Sequence, residues 1–330
     1  MTNDQKIKTI LMGTPEFAEK IFRKFQPWAD QPRAGYKFDI TAVITTPDKP
    51  VGRKQILTPS PVKKWAEENN LPILQPDKIR KPEWVEKIKE LNPDLIILCA
   101  YGQIIPEEIL NIPKYKALNI HSSLLPCWRG ASPIQATILN GDKETGVCLM
   151  IMDAEMDHGP ILGISKFEIL NPKITYRELE NQLIDVASDL LIKTLPDWIE
   201  GKIKPQEQDH SQATFCKLIK KEDGKIDWNK SAQEIERQIR AYQEWPTAYA
   251  EIQNPKSKIQ INLKILNAGT SNENTNKKIG EVFLTDTKDL VVQTGNGILI
   301  IKQLQLEGKK PMSAKDFLNG HSEIIGTILQ

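Results

Sequence analysis

The feature of this sequence that most constrains its fold is the alternation of short apolar runs with helical segments over the first two thirds of the chain. The clearest run, residues 95–100, is apolar at every position, which suits a strand buried on both faces of a parallel sheet. The other strand-like runs are residues 7–12, 38–45, 71–74, 117–120, 147–152 and 161–167. This alternation predicts an α/β fold, an open sheet with crossover helices.

The segments between these runs carry helix start and stop signals. Ser60 is a suitable N-cap residue for the helix that follows it. Ser132 is a suitable N-cap for a later helix, and Gly141 lies just after the end of that helix. The predicted helices are residues 15–25, 61–68, 83–91, 133–140 and 175–199.

The pattern changes after Glu200. Residues 201–214 are polar and without periodicity, which we interpret as a linker, and we expect a mobile loop at 270–278. One helix is predicted at 231–241. The strand-like runs of this part are residues 249–252, 259–266, 280–284, 290–294 and 297–304. Short strands joined by polar turns predict a small barrel, so we expect one domain at 1–205 and a second at 206–330.

Composition excludes some functions. A chain of 330 residues favours two domains, and 44 basic against 43 acidic side chains give a formal net charge of +1. This balance argues against a surface built to coat nucleic acid, although local basic patches remain possible. The apolar runs are too short to cross a membrane, and the first residues lack the apolar core of a signal peptide, so we expect a cytoplasmic protein.

The four cysteines do not suggest a disulfide framework or a zinc site. Cys99, Cys127, Cys148 and Cys216 are scattered and form no CxxC pair, and two of them lie in apolar runs. The Gly13-Thr14-Pro15 turn after the first strand lacks the glycine pattern of a nucleotide loop. We therefore predict no metal, and a turn that borders a ligand cleft.

The richest stretch for chemistry is residues 118–162. Asn119 and His121 stand two apart at the end of an apolar strand, so both side chains leave the same face of the sheet. Asp157 lies in a loop after another strand. An acid can orient an imidazole, and an imidazole and an amide can donate to a developing oxyanion. No serine or cysteine nucleophile is evident, which favours direct transfer between two bound substrates.

Several motifs occur in order along nearly the whole chain. They are residues 12–17 (MGTPEF), 59–63 (PSPVK), 100–106 (AYGQIIP), 119–126 (NIHSSLLP), 129–130 (RG), 133–135 (PIQ), 144–147 (ETGV), 225–228 (KIDW), 239–241 (IRA), 245–246 (WP), 307–310 (EGKK) and 312–313 (MS). With these motifs the sequence resembles the methionyl-tRNA formyltransferase family, whose members put a formyl group on the amino group of methionine carried by initiator tRNA.

The resemblance implies that Asn119, His121 and Asp157 match the family's catalytic residues. It implies a Rossmann-like formyltransferase domain at 1–205, an OB-like β-barrel domain that binds tRNA at 206–330, and 10-formyltetrahydrofolate as the formyl donor. The partners it implies are initiator methionyl-tRNA and the folate co-substrate, with no membrane, and we expect a monomer.

The resemblance also implies two sets of binding residues. The folate cleft would be lined by Tyr101, Gly102, Gln103, Ile104, Ile105, Pro106, Ser122, Ser123, Leu124, Pro126 and Asp153. An insertion at 48–58, with Arg53 and Lys54, is associated in the family with tRNA, and Lys309 and Lys310 could extend a tRNA track across the second domain.

The sequence departs from the family's pattern at a few positions. The 48–58 insertion lacks a second glycine and further basic residues, Cys127 replaces a common basic residue, Glu155-Met156 replaces a frequent Gly-Leu, and His158 stands where threonine is usual. The main alternative is a folate-dependent formyltransferase acting on a sugar-nucleotide amine or a purine precursor. A non-catalytic RNA-binding protein and a formyl-folate hydrolase are two others.

Overall fold

The computed structural model describes residues 5–31, 35–52, 54–253, 260–273 and 275–330. Two compact units are present. The first comprises residues up to 133 together with 144–168 and 180–216, and the second comprises 134–143, 169–179 and 217–330.

Strands and helices are numbered separately in chain order. The strands are β1 (Gln5–Gly13), β2 (Tyr36–Ile44), β3 (Lys49–Val51), β4 (Ile56–Thr58), β5 (Ile73–Leu74), β6 (Leu95–Cys99), β7 (Ala117–His121), β8 (Arg129–Gly130), β9 (Glu144–Ile151), β10 (Ile161–Glu168), β11 (Phe215–Cys216), β12 (Tyr249–Gln253), β13 (Gln260–Ser271), β14 (Val282–Leu284), β15 (Leu290–Gln293), β16 (Ile298–Leu306) and β17 (Met312–Ser313). The helices are α1 (Glu16–Ala29), α2 (Pro61–Glu68), α3 (Pro82–Leu91), α4 (Glu107–Leu110), α5 (Pro133–Asn140), α6 (Tyr176–Ile199), α7 (Ala232–Ala241) and α8 (Ala314–Gly320).

The first unit is built on a sheet with the strand order β10-β9-β7-β6-β1-β2-β5 in the described part of the chain. Pairing is parallel from β7 through β6, β1 and β2 to β5, whereas β9 pairs antiparallel with both β7 and β10. Every residue of β6 is buried, as the unbroken apolar run predicts. Chain order reverses between β1 and β6, and the carboxyl ends of strands at such a reversal are where open α/β sheets bind ligands.

Local signals set most helix boundaries. The hydroxyl of Ser60 accepts a hydrogen bond of 3.0 Å from the backbone N–H of Lys63, so α2 begins and ends where the sequence predicts. Helix α5 matches its predicted bounds, and Gly141 beyond its end has a φ of 75°. Helix α1 is longer than predicted and passes through Pro27, because Ala29 is still buried against the core.

The second unit contains an antiparallel sheet with the strand order β12-β13-β16-β15-β14, and β17 pairs with β16. Its core packs α7 and α8 against these strands. The predicted loop at 270–278 begins later than expected, since β13 stays paired with β16 as far as Ser271. Residue 259, the predicted start of that strand, and Asn274 lie outside the described residues.

The segment interpreted as a linker belongs to the first unit. Gln206 exchanges backbone hydrogen bonds of 2.8 and 2.9 Å with Ile161, and β11 pairs in parallel with β8. The last boundary between the two units along the chain therefore falls after Cys216, whereas the sequence pattern places the boundary after Pro205. The difference arises because these contacts join residues far apart in sequence and leave no local periodicity.

Candidate active site

The candidate site begins at the carboxyl edge of the parallel strands. β1 ends at Gly13, β6 ends at Cys99, and the turns that follow them meet, since the Thr14 hydroxyl donates a 2.8 Å hydrogen bond to the Tyr101 carbonyl. In β7, the next strand along, Asn119 pairs in register with Leu98 of β6. The turn at Gly13 and the side chain of Asn119 therefore lie on the same edge of the sheet.

The structure brings Asn119, His121 and Asp157 together. Asn119 Nδ2 donates a 3.2 Å hydrogen bond to Asp157 Oδ1, and His121 Nδ1 lies 3.6 Å from the same oxygen. The His121 side chain is 5 % exposed and that of Asp157 13 %, so one largely desolvated carboxylate faces both an amide and an imidazole. We refer to these three residues as the Asn-His-Asp cluster. Their catalytic role remains a prediction.

Both ring nitrogens of His121 face oxygen atoms. Nδ1 faces the Asp157 carboxylate, and Nε2 lies 3.0 Å from the Trp128 carbonyl oxygen. A neutral imidazole carries one N–H and can serve one of these acceptors, whereas an imidazolium can serve both. The sequence argument expects His121 to donate to a substrate oxyanion, but in this arrangement neither nitrogen is free to do so without giving up its present partner.

Asn119 offers the unused donor of the cluster. An amide nitrogen has two N–H groups, and among the described residues the only hydrogen bond of Asn119's side chain is the one to Asp157. The side chain is half-buried at the strand end. Its second N–H therefore has no hydrogen-bond partner among the described residues.

The backbone around Asp157 is held in an uncommon conformation. Asp157 has a φ of 50°, and the N–H of Gly130 donates a 2.8 Å hydrogen bond to its second carboxylate oxygen, Oδ2. Gly130 has a φ of 119°, and a Cβ there would lie 2.1 Å from the carbonyl oxygen of Cys216. Only glycine fits this position, so the Arg-Gly motif serves to bring a backbone donor against Asp157.

Gln208 holds the backbone of the Asp157 loop by hydrogen bonds. Its Nε2 donates to the carbonyl oxygens of Asp157 at 3.0 Å and Gly159 at 2.7 Å. Its Oε1 accepts two hydrogen bonds from the Arg129 guanidinium, at 2.7 and 3.2 Å. Gln208 and Arg129 are both buried. The amide therefore acts as a brace that sets the direction of the Asp157 carboxylate.

Two histidines extend this support. Arg129 donates a 2.8 Å hydrogen bond to Nδ1 of His210, whose ring stacks on His158 with the centroids 3.9 Å apart. His158 Nδ1 lies 2.7 Å from Asp153 Oδ2. The departure at His158 therefore has a structural consequence, since it ties the Asp157 loop to the segment after residue 205. Sequence reasoning missed Gln208 and His210, because nothing in a polar segment distinguishes them.

The predicted folate-cleft residues that follow β6 differ in what they can offer. Tyr101 is buried, its hydroxyl has no hydrogen-bond partner among the described residues, and burial raises its pKa. Both ends of the Gln103 amide are hydrogen-bonded, since Oε1 accepts from the N–H of Ile79 and Nε2 donates to the carbonyl of Pro76. Ile104 is exposed, Ile105 is buried, and Pro106 precedes α4. The Tyr101 hydroxyl is thus enclosed in the apolar cluster that also contains Ile105.

The remaining predicted cleft residues largely hold the loops themselves. Ser123 is fully buried and its hydroxyl donates to the Cys127 carbonyl at 2.6 Å, so its side chain does not face a cleft. Ser122 is also buried, while Leu124 and Pro126 are half-buried. Within its own loop, Asp153 Oδ1 accepts a hydrogen bond from the Glu155 N–H, and Asp153 Oδ2 lies next to His158 Nδ1. Ser123 and Asp153 thus both make hydrogen bonds that hold their own loops, and a ligand contact at either residue remains a prediction.

Three of the four predicted tRNA-binding residues lie in the described part of the chain. Residues 48–58, expected as a loop, form a hairpin in which β3 and β4 pair antiparallel and Gln55 donates to the Gly52 carbonyl. Lys54 is exposed at its tip, and Arg53 lies outside the described residues. Lys309 and Lys310 are exposed on the turn after β16. A tRNA contact at either turn remains a prediction.

The described residues offer neither a metal site nor a membrane-spanning helix. They contain no group of three or more His, Cys, Asp or Glu side chains arranged to hold a metal ion. None of their helices is long and apolar enough to cross a membrane. The four cysteines are free, and burial raises the pKa of Cys148 to about 12.

Comparison with known proteins decides the family. A family model described as "Formyl transferase" matches residues 5–195, and one described as "Formyl transferase, C-terminal domain" matches 218–322. The methionyl-tRNA formyltransferase of Sulfurihydrogenibium sp. (strain YO3AOP1) is 41% identical over 317 residues, covering 96% of this chain and 97% of that protein. The enzyme of the same name from Clostridium novyi (strain NT) is 39% identical over 98% of this chain and 100% of its own length. The chain belongs to the methionyl-tRNA formyltransferase family.

Solved structures share the fold of this family member at lower identity. HypX from Aquifex aeolicus in complex with tetrahydrofolic acid has a TM-score of 0.60 and 16% identity over 95% of this chain, which spans 47% of HypX. An N-formyltransferase from Helicobacter canadensis, in complex with folinic acid and dTDP-3-aminofucose, has a TM-score of 0.60 and 20% identity over 89% of this chain and 99% of its own. These likenesses support the fold.

Proposed function

We propose that this chain transfers the formyl group of 10-formyltetrahydrofolate to the α-amino group of methionyl-initiator tRNA, and that the Asn-His-Asp cluster carries out the transfer. The observation that carries the proposal is the meeting of Asn119, His121 and Asp157 around one carboxylate oxygen. This cluster lies at the sheet edge where α/β folds bind ligands, in a chain about 40% identical to methionyl-tRNA formyltransferases.

In the proposed reaction the neutral amine attacks the formyl carbon. One N–C bond forms to the methionine nitrogen, the C–N10 bond of the donor breaks, and one amine proton ends on N10. Negative charge develops on the formyl oxygen between these events, and the free N–H of Asn119 is placed to stabilise it. Such preorganised donors act on the transition state more than on the ground state.

His121 and Asp157 have supporting roles in this mechanism. The carboxylate fixes both partners, since Asn119 donates to it and His121 Nδ1 faces it at 3.6 Å. Movement of His121 Nε2 from the Trp128 carbonyl towards substrate would give the imidazole a place in proton transfer from the amine. The Gly130 N–H and the Gln208 brace keep Asp157 aimed at both partners.

We also propose that the second unit is an OB-like barrel that contacts tRNA, in a monomeric cytoplasmic enzyme. Support for the barrel comes from the chain end, which hydrogen-bonds to both edges of the antiparallel sheet. The N–H of Gly326 donates to the Val282 carbonyl at 2.7 Å beside β14, and Gln330 exchanges two backbone hydrogen bonds with Glu251 of β12. Barrels of this class use closure to remove exposed strand edges.

The function is tested by offering several acceptors to the purified enzyme with 10-formyltetrahydrofolate. Charged initiator tRNA, uncharged initiator tRNA, a dTDP-amino sugar and no acceptor would be compared by radiolabelled formyl incorporation. We expect label on the charged initiator tRNA alone. Preferential formylation of the amino sugar would favour the sugar-nucleotide alternative, and formate release without acceptor would favour a hydrolase.

The tRNA contacts predict a change in salt dependence. Replacing Arg53 and Lys54 together with alanine should raise the KM for tRNA and lower the slope of log KM against log salt by about 2, because about two fewer counterions are released on binding. The kcat at saturating tRNA should stay near that of the wild type.

The matched control for this experiment replaces Lys87 and Lys89 with alanine. Both lysines are exposed on α3, so the control removes the same charge from the first unit. An unchanged slope in the hairpin variant, or an equal change in the control, would remove the hairpin from the tRNA contact.

A further inference from the structure

A cavity of about 390 Å³ opens beside the carboxyl edge of the parallel sheet. Its walls come from three segments of the first unit: the residues after β2, the loop after β5 and the residues after β6. The Gln103 amide joins the last two by its hydrogen bonds of 2.8 Å from the Ile79 N–H and 2.9 Å to the Pro76 carbonyl. The cavity therefore has a braced wall between two neighbouring loops.

The lining of this cavity is positively charged. Lys49, Lys78 and Arg80 contribute three cationic side chains, and none of them has an ion-pair partner among the residues that the structure describes. One carboxylate, that of Asp77, also lines the cavity, but it is paired with Lys81 at 2.6 Å. We refer to Lys49, Lys78 and Arg80 as the basic rim.

The acidic neighbours of the rim are neutralised by other lysines. The hydrogen bond from Lys81 lowers the pKa of Asp77, so this carboxylate stays ionised and paired with Lys81. Asp48, next to Lys49, accepts hydrogen bonds of 2.8 and 2.9 Å from Lys63 and one of 2.8 Å from Gln75, which hold its pKa low. The positive charge of the rim is thus left for an anion from outside the chain.

The cavity lies on the edge of the sheet that carries the Asn-His-Asp cluster. Its nearest wall, Gly102 to Ile104, follows β6, the immediate neighbour of β7, which carries Asn119. Its far wall follows β2, which lies three strands from β7. Because neighbouring strands are about 4.8 Å apart, the distance from β7 to β2 across the sheet is roughly 14 Å. An aromatic ring followed by one or two glutamyl units can span that distance.

We propose that the basic rim binds the glutamyl carboxylates of the folate donor, and that it favours donors with a polyglutamyl tail. The inference rests on the proposed function and adds to it a subsite for a poly-carboxylate ligand. A donor whose formyl group lies at Asn119 would pass along the Gly102–Ile104 wall, and its tail would reach Lys78 and Arg80. A tRNA phosphate has the same anionic chemistry, but the wall shared with the proposed folate cleft favours the folate tail.

The test replaces Lys78 and Arg80 together with alanine and measures binding and kinetics separately. Binding would be followed by calorimetry with 5-formyltetrahydrofolate in monoglutamyl and triglutamyl forms. Kinetics would use the corresponding 10-formyl donors and charged initiator tRNA. The control is the Lys87→Ala, Lys89→Ala variant, which removes two lysines from the helix that follows this loop and leaves the cavity unaltered.

We expect the wild type and the control to bind the triglutamyl form more tightly than the monoglutamyl form. In the Lys78→Ala, Arg80→Ala variant the triglutamyl Kd and KM should rise about five- to tenfold and the preference should disappear, as expected for two partly exposed ion pairs. The kcat and the KM for tRNA should not change.

Three results would overturn the inference. They are unchanged folate affinity in the variant, an equal loss in the control, and a rise confined to the KM for tRNA, which would assign the rim to a phosphate. These results are distinct from failure of the proposed function, which would appear as absence of formyl transfer by the wild type.

Discussion

Replacing Asp157 with alanine is expected to lower kcat for formyl transfer by about 10²–10⁴-fold, the range of effects typical of positioned acid–base groups. The carboxylate is the one group that contacts both other members of the cluster, through Asn119 Nδ2 at 3.2 Å and His121 Nδ1 at 3.6 Å. Without it, the imidazole loses the partner that sets its orientation, and the amide can turn away from the substrate.

Asp157→Asn is the informative companion to this variant. It keeps the size of the side chain and one oxygen acceptor, but it places an amide nitrogen against either the Gly130 N–H or the two donors at Oδ1. Its kcat should fall nearly as far as that of the alanine variant. The exposed Asp286→Ala serves as the control for lost charge. A kcat within about threefold of the wild type for Asp157→Ala would exclude this carboxylate from the mechanism.

Replacing Asn119 with alanine is expected to lower kcat by about 10²–10³-fold, the usual cost of removing one donor to a developing oxyanion. The KM for tRNA should change little, because the amide acts at the transition state and does not contact the body of the tRNA in the proposed mechanism. Steady-state kinetics with charged initiator tRNA measure both quantities.

The melting temperature separates this effect from misfolding. Asn119 is half-buried and makes one side-chain hydrogen bond, to Asp157, among the described residues, so truncation should alter stability only slightly. Asn181→Ala, on the exposed face of α6, is the matched control. Wild-type turnover by the Asn119 variant would show that another group stabilises the oxyanion.

Much of the first unit could be predicted from local sequence. The apolar run at 95–100 predicts the buried strand β6, and the Ser60 signal predicts the start of α2, because burial on both faces and N-capping both leave short-range patterns. The proximity of Asn119 to His121 follows from the two-residue period of a strand. Asp157 reaches these two residues because β9, the strand before its loop, pairs with β7. The alternation of strands and helices does not predict this pairing.

The support of the site could not be predicted in the same way. Gln208 contacts Arg129, 79 residues earlier, and its segment has the polar composition of an interdomain linker. The glycine at position 130 is needed because Cys216 passes close behind it, a contact that only the folded chain reveals. Long-range pairings of this kind have no periodic signature in the sequence.

We propose that Asn119, His121 and Asp157 act as one unit in formyl transfer. The most direct test is the kcat of the Asn119→Ala, Asp157→Ala double variant beside those of the two single variants under the same conditions. Residues that work as a unit lose function together, so we predict that the double variant falls within about threefold of Asp157→Ala alone. If the two single losses multiply in the double variant, the two side chains contribute independently and do not act as a unit.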